Sequence, residues 1–436
     1  MSSRLLIKGA QVWQGDCFSP PVDLLIDGGR IVRMGRGLAD AKARQIAAEG
    51  WLVLPGLVDL HAHLGEPGHE ERESIESGLV AAAAGGFTHV LVMPDTEPPI
   101  DNEAAVEFLR QRGGMVQAAD LHVCAALTKG RTGEEMAELA HLVAAGAKAL
   151  GDARSIRDPA VMRRALLYAT MLDVPIFSQT GDEALAGDGV VHEGPVGHRL
   201  GLAGIPPSAE WTSLARDLFL AEEVGGRLHV QGVSTARSVE IVAAAKARGV
   251  QVSAAVNLYN LLLDDTALAD YDTAKKVMPP LRPASDVEAL VKALADGVID
   301  CIVTDHTPCT VEEKDMEFDL APFGAAGFEV ALSALYTRLV VLGGLSWQTL
   351  VEALSVRPRA IIGLPQAELR EGAVCDLTLF DPHETYRVEP GAWRSRSRNT
   401  PLAGETLRGR VQGTLIGDRA LGPCFEGESP VGRRML

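Results

Sequence analysis

The strongest constraint on the fold is an alternation of short apolar runs with helical segments through the middle of the chain. The apolar runs lie at roughly 57–63, 88–92, 121–126, 147–151, 174–178, 228–232, 251–256 and 299–304. Segments rich in Ala, Leu and Glu, such as 75–84, 134–145 and 238–247, separate most of them. Eight strand–helix units in about 250 residues predict an α/β fold, a (β/α)8 barrel of the TIM type. A doubly wound open sheet is the alternative.

Both ends of the chain carry strand patterns of a different kind. Apolar runs at 4–8 and 23–27 precede the Gly28-Gly29 pair, which is typical of a hairpin turn. Similar runs lie at 375–380 and 409–416. We therefore predict one small β-sandwich domain built from residues 1–55 and 365–436, with the barrel formed by residues 56–364.

Charge and cysteine content narrow the classes of partner and compartment. The chain has 58 acidic and 41 basic residues, a formal net charge of −17, which argues against nucleic acid and anionic membranes as partners. The six cysteines are sparse and form no C-x-x-C pair, as is typical of reduced thiols in the cytoplasm. We expect no signal peptide and no membrane span, and a cytoplasmic location.

Functional residues of such a barrel lie at the carboxyl ends of its strands. Strand one ends in His61 and His63, strand four in Asp152, and strand eight in Asp305. Nitrogen and carboxylate ligands of this kind suit zinc, and a carboxylate beside the metal is a candidate catalytic base. We predict His61, His63, Asp152 and Asp305 as zinc ligands and Asp305 as the catalytic residue. Incidental histidines and a helix-capping Asp305 are the alternatives.

Motifs along nearly the whole length resemble those of the dihydroorotase family of the amidohydrolase superfamily, zinc-dependent cyclic-amide hydrolases of pyrimidine synthesis. The matching stretches lie in the same order, at 55–64, 66–68, 84–88, 93–94, 200–206, 233–236, 279–282, 304–308 and 321–324. The resemblance implies a zinc-dependent barrel with a small-molecule substrate. It also implies that Phe323 and Gly324 belong to the substrate-binding loop of the family.

The chain departs from this family at the second metal site. Members usually hold two metals, and two histidines at the ends of strands five and six complete the second position. Gln179 and Gly232 stand at those places here. An amide is a poor zinc ligand and glycine offers no side chain. We therefore expect at most one tightly bound zinc, and none is an alternative.

The substrate-binding positions have changed as well. The family grips the dihydroorotate carboxylate with an arginine, an asparagine and a histidine, where this chain has Gly65, Asp95 and Cys309. Met278 replaces an asparagine before Pro279. Losing the arginine removes a bidentate contact, and Asp95 would repel the carboxylate. We take Asp95 and Cys309, with Phe323 and Gly324, as candidate substrate-binding residues.

Three functional hypotheses remain open from the sequence. The first is a dihydroorotase-like protein that is weak or inactive on dihydroorotate. This hypothesis includes a catalytically inactive family member that assembles with aspartate transcarbamoylase. The second is a one-zinc amidohydrolase acting on another cyclic amide or imide. The third is an active dihydroorotase with an unusual site. In each case we expect a homo-oligomer.

Overall fold

The N-terminal segment forms the first half of a mixed β-sheet in this computed structural model, which describes residues 4–426. Gly28 and Gly29 have positive φ angles of 56° and 71° and turn the chain between two antiparallel strands, as the sequence predicts. The strands are β1 (Leu5–Val12), β2 (Val22–Asp27), β3 (Arg30–Gly35), β4 (Arg44–Ala47) and β5 (Leu52–Pro55).

The middle of the chain forms the predicted barrel. Its eight strands are all parallel and follow one another in chain order around the sheet. A parallel bridge between Ala62 and His306 brings the first strand to the chain that follows the last, so the barrel is nearly closed. The strands are β6 (Leu57–Ala62), β7 (Phe87–Val92), β8 (Asp120–Ala125), β9 (Ala149–Leu150), β10 (Ile176–Gln179), β13 (Leu228–Gln231), β14 (Val252–Asn257) and β15 (Cys301–Val303), with β11 (Val191–His192) and β12 (Gly204–Ile205) paired outside the barrel.

Helices follow most barrel strands and bury one face against them. In the helix Pro159–Leu172, the Asp158 side chain caps the first turn and Pro159 suits its first position. The α-helices are α1 (Ile75–Ala84), α2 (Glu103–Gly114), α3 (Leu139–Ala145), α4 (Pro159–Leu172), α5 (Glu183–Ala186), α6 (Pro195–Leu200), α7 (Ser208–Val224), α8 (Ala236–Ala247), α9 (Leu258–Leu262), α10 (Ala284–Ala295), α11 (Val311–Lys314), α12 (Ala331–Leu335), α13 (Trp347–Val351) and α14 (Arg357–Ile361). The π-helical segments Tyr336–Val341 and Glu352–Val356 continue α12 and α13.

Apolar side chains fill the barrel interior below the carboxyl ends of the strands. They form one buried cluster that includes Val58, Leu60, Leu91, Met93, Cys124, Ala149, Phe177, Ala255, Cys301 and Val303. The barrel is therefore a packed core and not a pore, as in other barrels of this kind. The candidate site lies above this floor, at the carboxyl ends of the strands.

The C-terminal segment completes the first sheet. Strand β16 (Asp376–Arg387) pairs with β5 and with β17 (Thr406–Ile416), which pairs with β18 (Arg419–Leu421). Both termini thus contribute strands to one eight-stranded sheet. The domain boundaries at 55/56 and 364/365 stay predictions, and residues 427–436 of the predicted domain lie outside the described residues. Within residues 4–426, no helix has the length and apolar character that a membrane span requires.

Candidate functional site

Two strand ends bring three candidate ligands together. His61 lies in β6, His63 follows it directly, and Asp305 lies two residues beyond β15. His61 Nδ1 and His63 Nε2 each lie 3.8 Å from Asp305 Oδ1. One ligand atom from each residue lies within 4.8 Å of the other two. The structure therefore groups three of the four residues that the sequence predicts as zinc ligands.

A buried carboxylate fixes the position of these strand ends. Asp59 accepts hydrogen bonds from the backbone N–H groups of His61, at 3.1 Å, and Thr304, at 3.3 Å. The Thr304 hydroxyl donates to the same carboxylate. Burial raises the pKa of Asp59 to about 7 despite these hydrogen bonds. Asp59 thus ties β6 to the segment that carries Asp305.

The local environment sets the protonation of the three grouped residues. Burial and the nearby charge of His63 hold the pKa of His61 well below its usual value, which favours the neutral imidazole. Burial opposes protonation of His63, but the Asp95 carboxylate raises the pKa of His63 above its usual value. Burial raises the pKa of Asp305 to about 7, which suits a group that exchanges protons near neutral pH.

The grouped residues fit a zinc ion. Zinc accepts imidazole nitrogen and carboxylate oxygen as ligands. His61 Nδ1 is buried and has no hydrogen-bond partner among residues 4–426, although it faces the Asp305 carboxylate. A buried nitrogen without a partner costs free energy, and an ion at this place would satisfy it.

Asp152 lies outside this group. Its Oδ1 accepts hydrogen bonds from the backbone N–H groups of Leu127, at 2.7 Å, and Thr128, at 2.9 Å, and its Oδ2 accepts one from the Thr128 hydroxyl. Both oxygens are therefore used to hold the segment after β8. A role for Asp152 as a fourth ligand stays a prediction.

The two altered second-site positions lie next to each other. Gln179 ends β10 and pairs in register with Gln231, which ends β13 and precedes Gly232. A Cβ atom built on Gly232 would lie 3.3 Å from Gln179 Nε2. Gly232 also has a positive φ of 66°, a backbone conformation that residues other than glycine rarely adopt. Neither position offers an imidazole nitrogen to an ion, because Gln179 carries an amide and Gly232 has no side chain.

A cavity of about 300 Å³ opens above the three grouped residues. That volume is at the lower end of small-molecule sites and suits a single ring. Gln179, Met278, Phe323 and Gly324 all contribute to its wall. Much of the remaining wall is apolar, and it includes Ala153, Ala186, Ile205, Ala209, Pro279 and Pro280.

Three other predicted site residues do not contribute to the cavity wall. Asp95 contacts His63 Nδ1 through its Oδ2, at 2.7 Å. Cys309 is buried, and its backbone N–H donates to Asn399 Oδ1 at 3.3 Å. Gly65 has a positive φ of 66°, and a Cβ atom there would lie only 2.5 Å from the carbonyl oxygen of His69. These residues therefore do not line this cavity, and a role of Asp95 and Cys309 in substrate binding stays a prediction.

Sequence reasoning missed two features of the site. Asn257 ends β14, and its Nδ2 donates to Asp305 Oδ2 at 2.8 Å, so it orients the carboxylate. Its place at a strand end was the signal that could have identified it. Arg282, Glu210 and His192 form a buried polar cluster at the cavity, in which Arg282 Nη2 lies 3.2 Å from Glu210 Oε2. The sequence pattern does not predict this cluster, because two of its members come from separate elements, β11 and α7, which are distant in sequence from Arg282.

Comparison with known proteins agrees with this architecture. The model of a family described as Dihydro-orotase-like matches residues 50–238, and that of the Amidohydrolase family matches residues 214–421. The dihydroorotase of Pelotomaculum thermopropionicum is 44% identical over 422 residues, which cover 96% of this chain and 98% of that protein. The dihydroorotase of Mycobacterium leprae is 41% identical over 94% of this chain and 96% of its own length.

Solved structures support the fold. The L-hydantoinase (dihydropyrimidinase) from Arthrobacter aurescens superposes with a TM-score of 0.86, over 99% of this chain and 98% of its own, at 24% identity. The dihydropyrimidinase from Brevibacillus agri superposes with a TM-score of 0.82, over 96% of this chain and 95% of its own, also at 24% identity. Together with the similarity to dihydroorotases along the whole sequence, these findings establish that the chain belongs to the dihydroorotase-like family of amidohydrolases.

Proposed function

We propose that the protein is a dihydroorotase-like member of pyrimidine biosynthesis that binds at most one zinc ion and is weak or inactive on dihydroorotate. The observation that carries this proposal is the charge arrangement of the cavity. Each arginine in its wall already has a glutamate partner in the same wall. A substrate carboxylate entering the cavity therefore meets no unpaired guanidinium among the described wall residues.

The ion pairs of the wall support this step. Arg154 Nη2 lies 2.6 Å from Glu183 Oε1 in the cavity wall. Arg157, which is not among the residues that line the cavity, pairs with the same glutamate, so the two guanidiniums share one carboxylate. Arg282 pairs with Glu210, and both side chains are almost fully buried. Dihydroorotate is an anion, so its binding requires a cation or several strong donors. A substrate carboxylate that is buried without a cation lacks one partner of a charged pair, and such a loss costs about 3–5 kcal/mol. That cost corresponds to about two to four decades in binding or turnover.

Residues around the grouped ligands define what one ion would do. His61, His63 and Asp305 would hold it. A zinc ion at this place supplies an activated water and polarises a carbonyl oxygen. Asn257 holds Oδ2 of Asp305 and leaves Oδ1 directed toward the two imidazoles. Asp305 is then placed to accept a proton at the mouth of the barrel.

A second candidate function is hydrolysis of an uncharged cyclic amide or imide. The apolar wall favours it, and so does Gln179 Oε1, a buried acceptor without a partner among residues 4–426. A ring N–H of a neutral substrate would satisfy that acceptor. This function would keep the site catalytic with one ion and would need no clamp for a carboxylate.

An absorbance assay tests both functions. Purified protein supplied with zinc is offered dihydroorotate in one series and the uncharged ring dihydrouracil in another. We expect dihydroorotate turnover far below 1 per second. A rate of about 1 per second or faster, within the usual range of enzymes, would contradict the proposal. Turnover of dihydrouracil alone would support the second function.

Assembly and location follow as proposals from the same hypothesis. A chain with little or no activity on dihydroorotate would serve as a partner of aspartate transcarbamoylase. We also propose that the protein is a homo-oligomer in the cytoplasm. All six cysteines lie within residues 4–426 and none forms a disulfide there, as a reducing compartment requires. Size-exclusion chromatography with and without aspartate transcarbamoylase tests the partner. A mixture that elutes as two unchanged peaks would contradict it.

A further inference from the structure

The two ring nitrogens of His63 face different neighbours. Nε2 faces Asp305 Oδ1 at 3.8 Å, on the side of the grouped ligands. Nδ1 lies 2.7 Å from Asp95 Oδ2, on the side away from the cavity. A proton on Nδ1, donated to this carboxylate, leaves the lone pair of Nε2 free for an ion. The contact therefore selects the ring orientation and the tautomer that a metal ligand needs.

The contact with His63 is the side-chain hydrogen bond of Asp95, and the charge of Arg131 also acts on this carboxylate. Asp95 follows β7 after Met93 and Pro94, its side chain is 29% exposed, and it is absent from the wall of the cavity. The resemblance to the family implies an asparagine at this place, where this chain has an aspartate. An aspartate gives a charge-assisted hydrogen bond, which is stronger than the bond to a neutral amide.

We infer that Asp95 is a positioning residue, which fixes His63 for ion binding. The inference rests on the single-ion site of the proposed function. A carboxylate behind a ligating histidine orients the ring and raises its basicity, and replacing such a residue typically costs about 10–100-fold in metal affinity. Asp95 thus supports the ion site through the ring of His63.

Zinc affinity of the full chain tests this role. Asp95→Asn keeps the shape and an acceptor oxygen but removes the charge, and Asp95→Ala removes the contact. Asp101→Asn is the matched control, because Asp101 lies on the same segment after β7 and, among residues 4–426, its side chain accepts only from the Gly130 backbone N–H, at 2.8 Å, and from Asn102. Affinity is measured by competition with a coloured chelator. Cobalt is substituted for zinc, and its visible spectrum reports the ligand geometry.

We expect Asp95→Asn to bind zinc about tenfold more weakly and Asp95→Ala up to about 100-fold more weakly. Both variants should have an altered cobalt spectrum, and Asp101→Asn should match the wild type in both measurements. If the wild type binds zinc while Asp95→Asn keeps its affinity and spectrum, the role of Asp95 is wrong and the ion site stands. If the wild type binds no zinc, the ion site itself is wrong, and the role of Asp95 fails with it.

Discussion

At the residue scale, Asp152 has two possible roles. Its carboxylate either holds the segment after β8 or serves as the fourth zinc ligand. If its carboxylate serves the segment after β8, Asp152→Ala leaves the backbone N–H groups of Leu127 and Thr128 without an acceptor. We then expect a loss of about 1–3 kcal/mol in the free energy of unfolding, because buried donors lose an acceptor. Urea unfolding measures this loss, and zinc stoichiometry should stay unchanged. Loss of zinc at unchanged stability would instead identify Asp152 as the fourth ligand.

Single residues at strand ends were predictable from the sequence where the chemistry is local. His61 and His63 lie two positions apart at the end of β6, and Asp305 lies just beyond β15, so a rule about strand ends suffices to group them. The engagement of Asp152 was not predictable. It depends on N–H groups of a neighbouring strand end, about 25 positions earlier, and sequence spacing carries no information about that distance.

At the scale of elements, the loop after β6 has a shape that excludes the arginine expected at position 65. Gly65 and Gly37 have nearly the same positive φ, 66° and 69°, but only Gly37 has open space around a Cβ atom. We expect Gly37→Ala to cost about 1 kcal/mol from backbone strain alone. Gly65→Ala should cost clearly more, because its Cβ also meets the carbonyl oxygens of His69 and Glu73, at 2.5 and 2.8 Å.

Thermal or urea unfolding of the two alanine variants measures this difference. Equal losses would show that the loop adapts to a side chain at position 65, and would make Gly65→Arg a realistic way to restore a carboxylate clamp. If Gly65→Ala instead costs clearly more than Gly37→Ala, Gly65→Arg would disrupt the loop, and the new arginine could not restore a carboxylate clamp.

Element positions in the barrel followed from hydrophobic pattern, but local irregularities did not. The predicted apolar runs overlap all eight barrel strands, because a buried parallel strand needs a continuous apolar segment. Strand β9 is only Ala149–Leu150, shorter than the run at 147–151, and the β11–β12 pair was not expected. Such short pairs arise from contacts between loops, which a single apolar run does not encode.

At the scale of the whole molecule, a buried polar network joins the base of the barrel to the terminal sheet. Asp376, at the start of β16, lies 3.0 Å from His89 Nε2 and 2.7 Å from Arg359 Nη2. Burial alone would raise the pKa of Asp376, but the hydrogen bond from His89 and the charge of Arg359 lower it to about 2. The folded-state pKa is therefore below the unfolded value of 3.8.

The lowered pKa of Asp376 predicts how the free energy of unfolding changes at acidic pH. The stabilisation by Asp376, about 2 kcal/mol, is present above about pH 4 and is lost as the pH falls from about 4 to about 2. Asp376→Asn should lower stability at pH 7 and flatten the dependence of unfolding free energy on pH in that window. Denaturant unfolding at several pH values measures it, with Glu107→Gln on the exposed side of α2 as control. A variant with the wild-type slope would contradict this role.

The overall architecture was predictable because both of its parts leave patterns along the chain. Strand–helix alternation predicted the barrel, and the separated β-rich ends predicted one small β domain to which both termini contribute strands. The network around Asp376 was not predictable, since Asp376, His89 and Arg359 come from three distant segments and meet only after the sheet docks on the barrel.

The metal content of the purified chain tests the single-ion site most directly. After dialysis against a low zinc concentration, elemental analysis should give about one zinc per chain in the wild type. The count should fall to zero in His61→Ala, because that nitrogen is one of the three grouped ligand atoms. It should stay at one in His141→Ala, a control histidine on the exposed part of α3. Two zinc ions per wild-type chain, or one that survives His61→Ala, would contradict the proposed site.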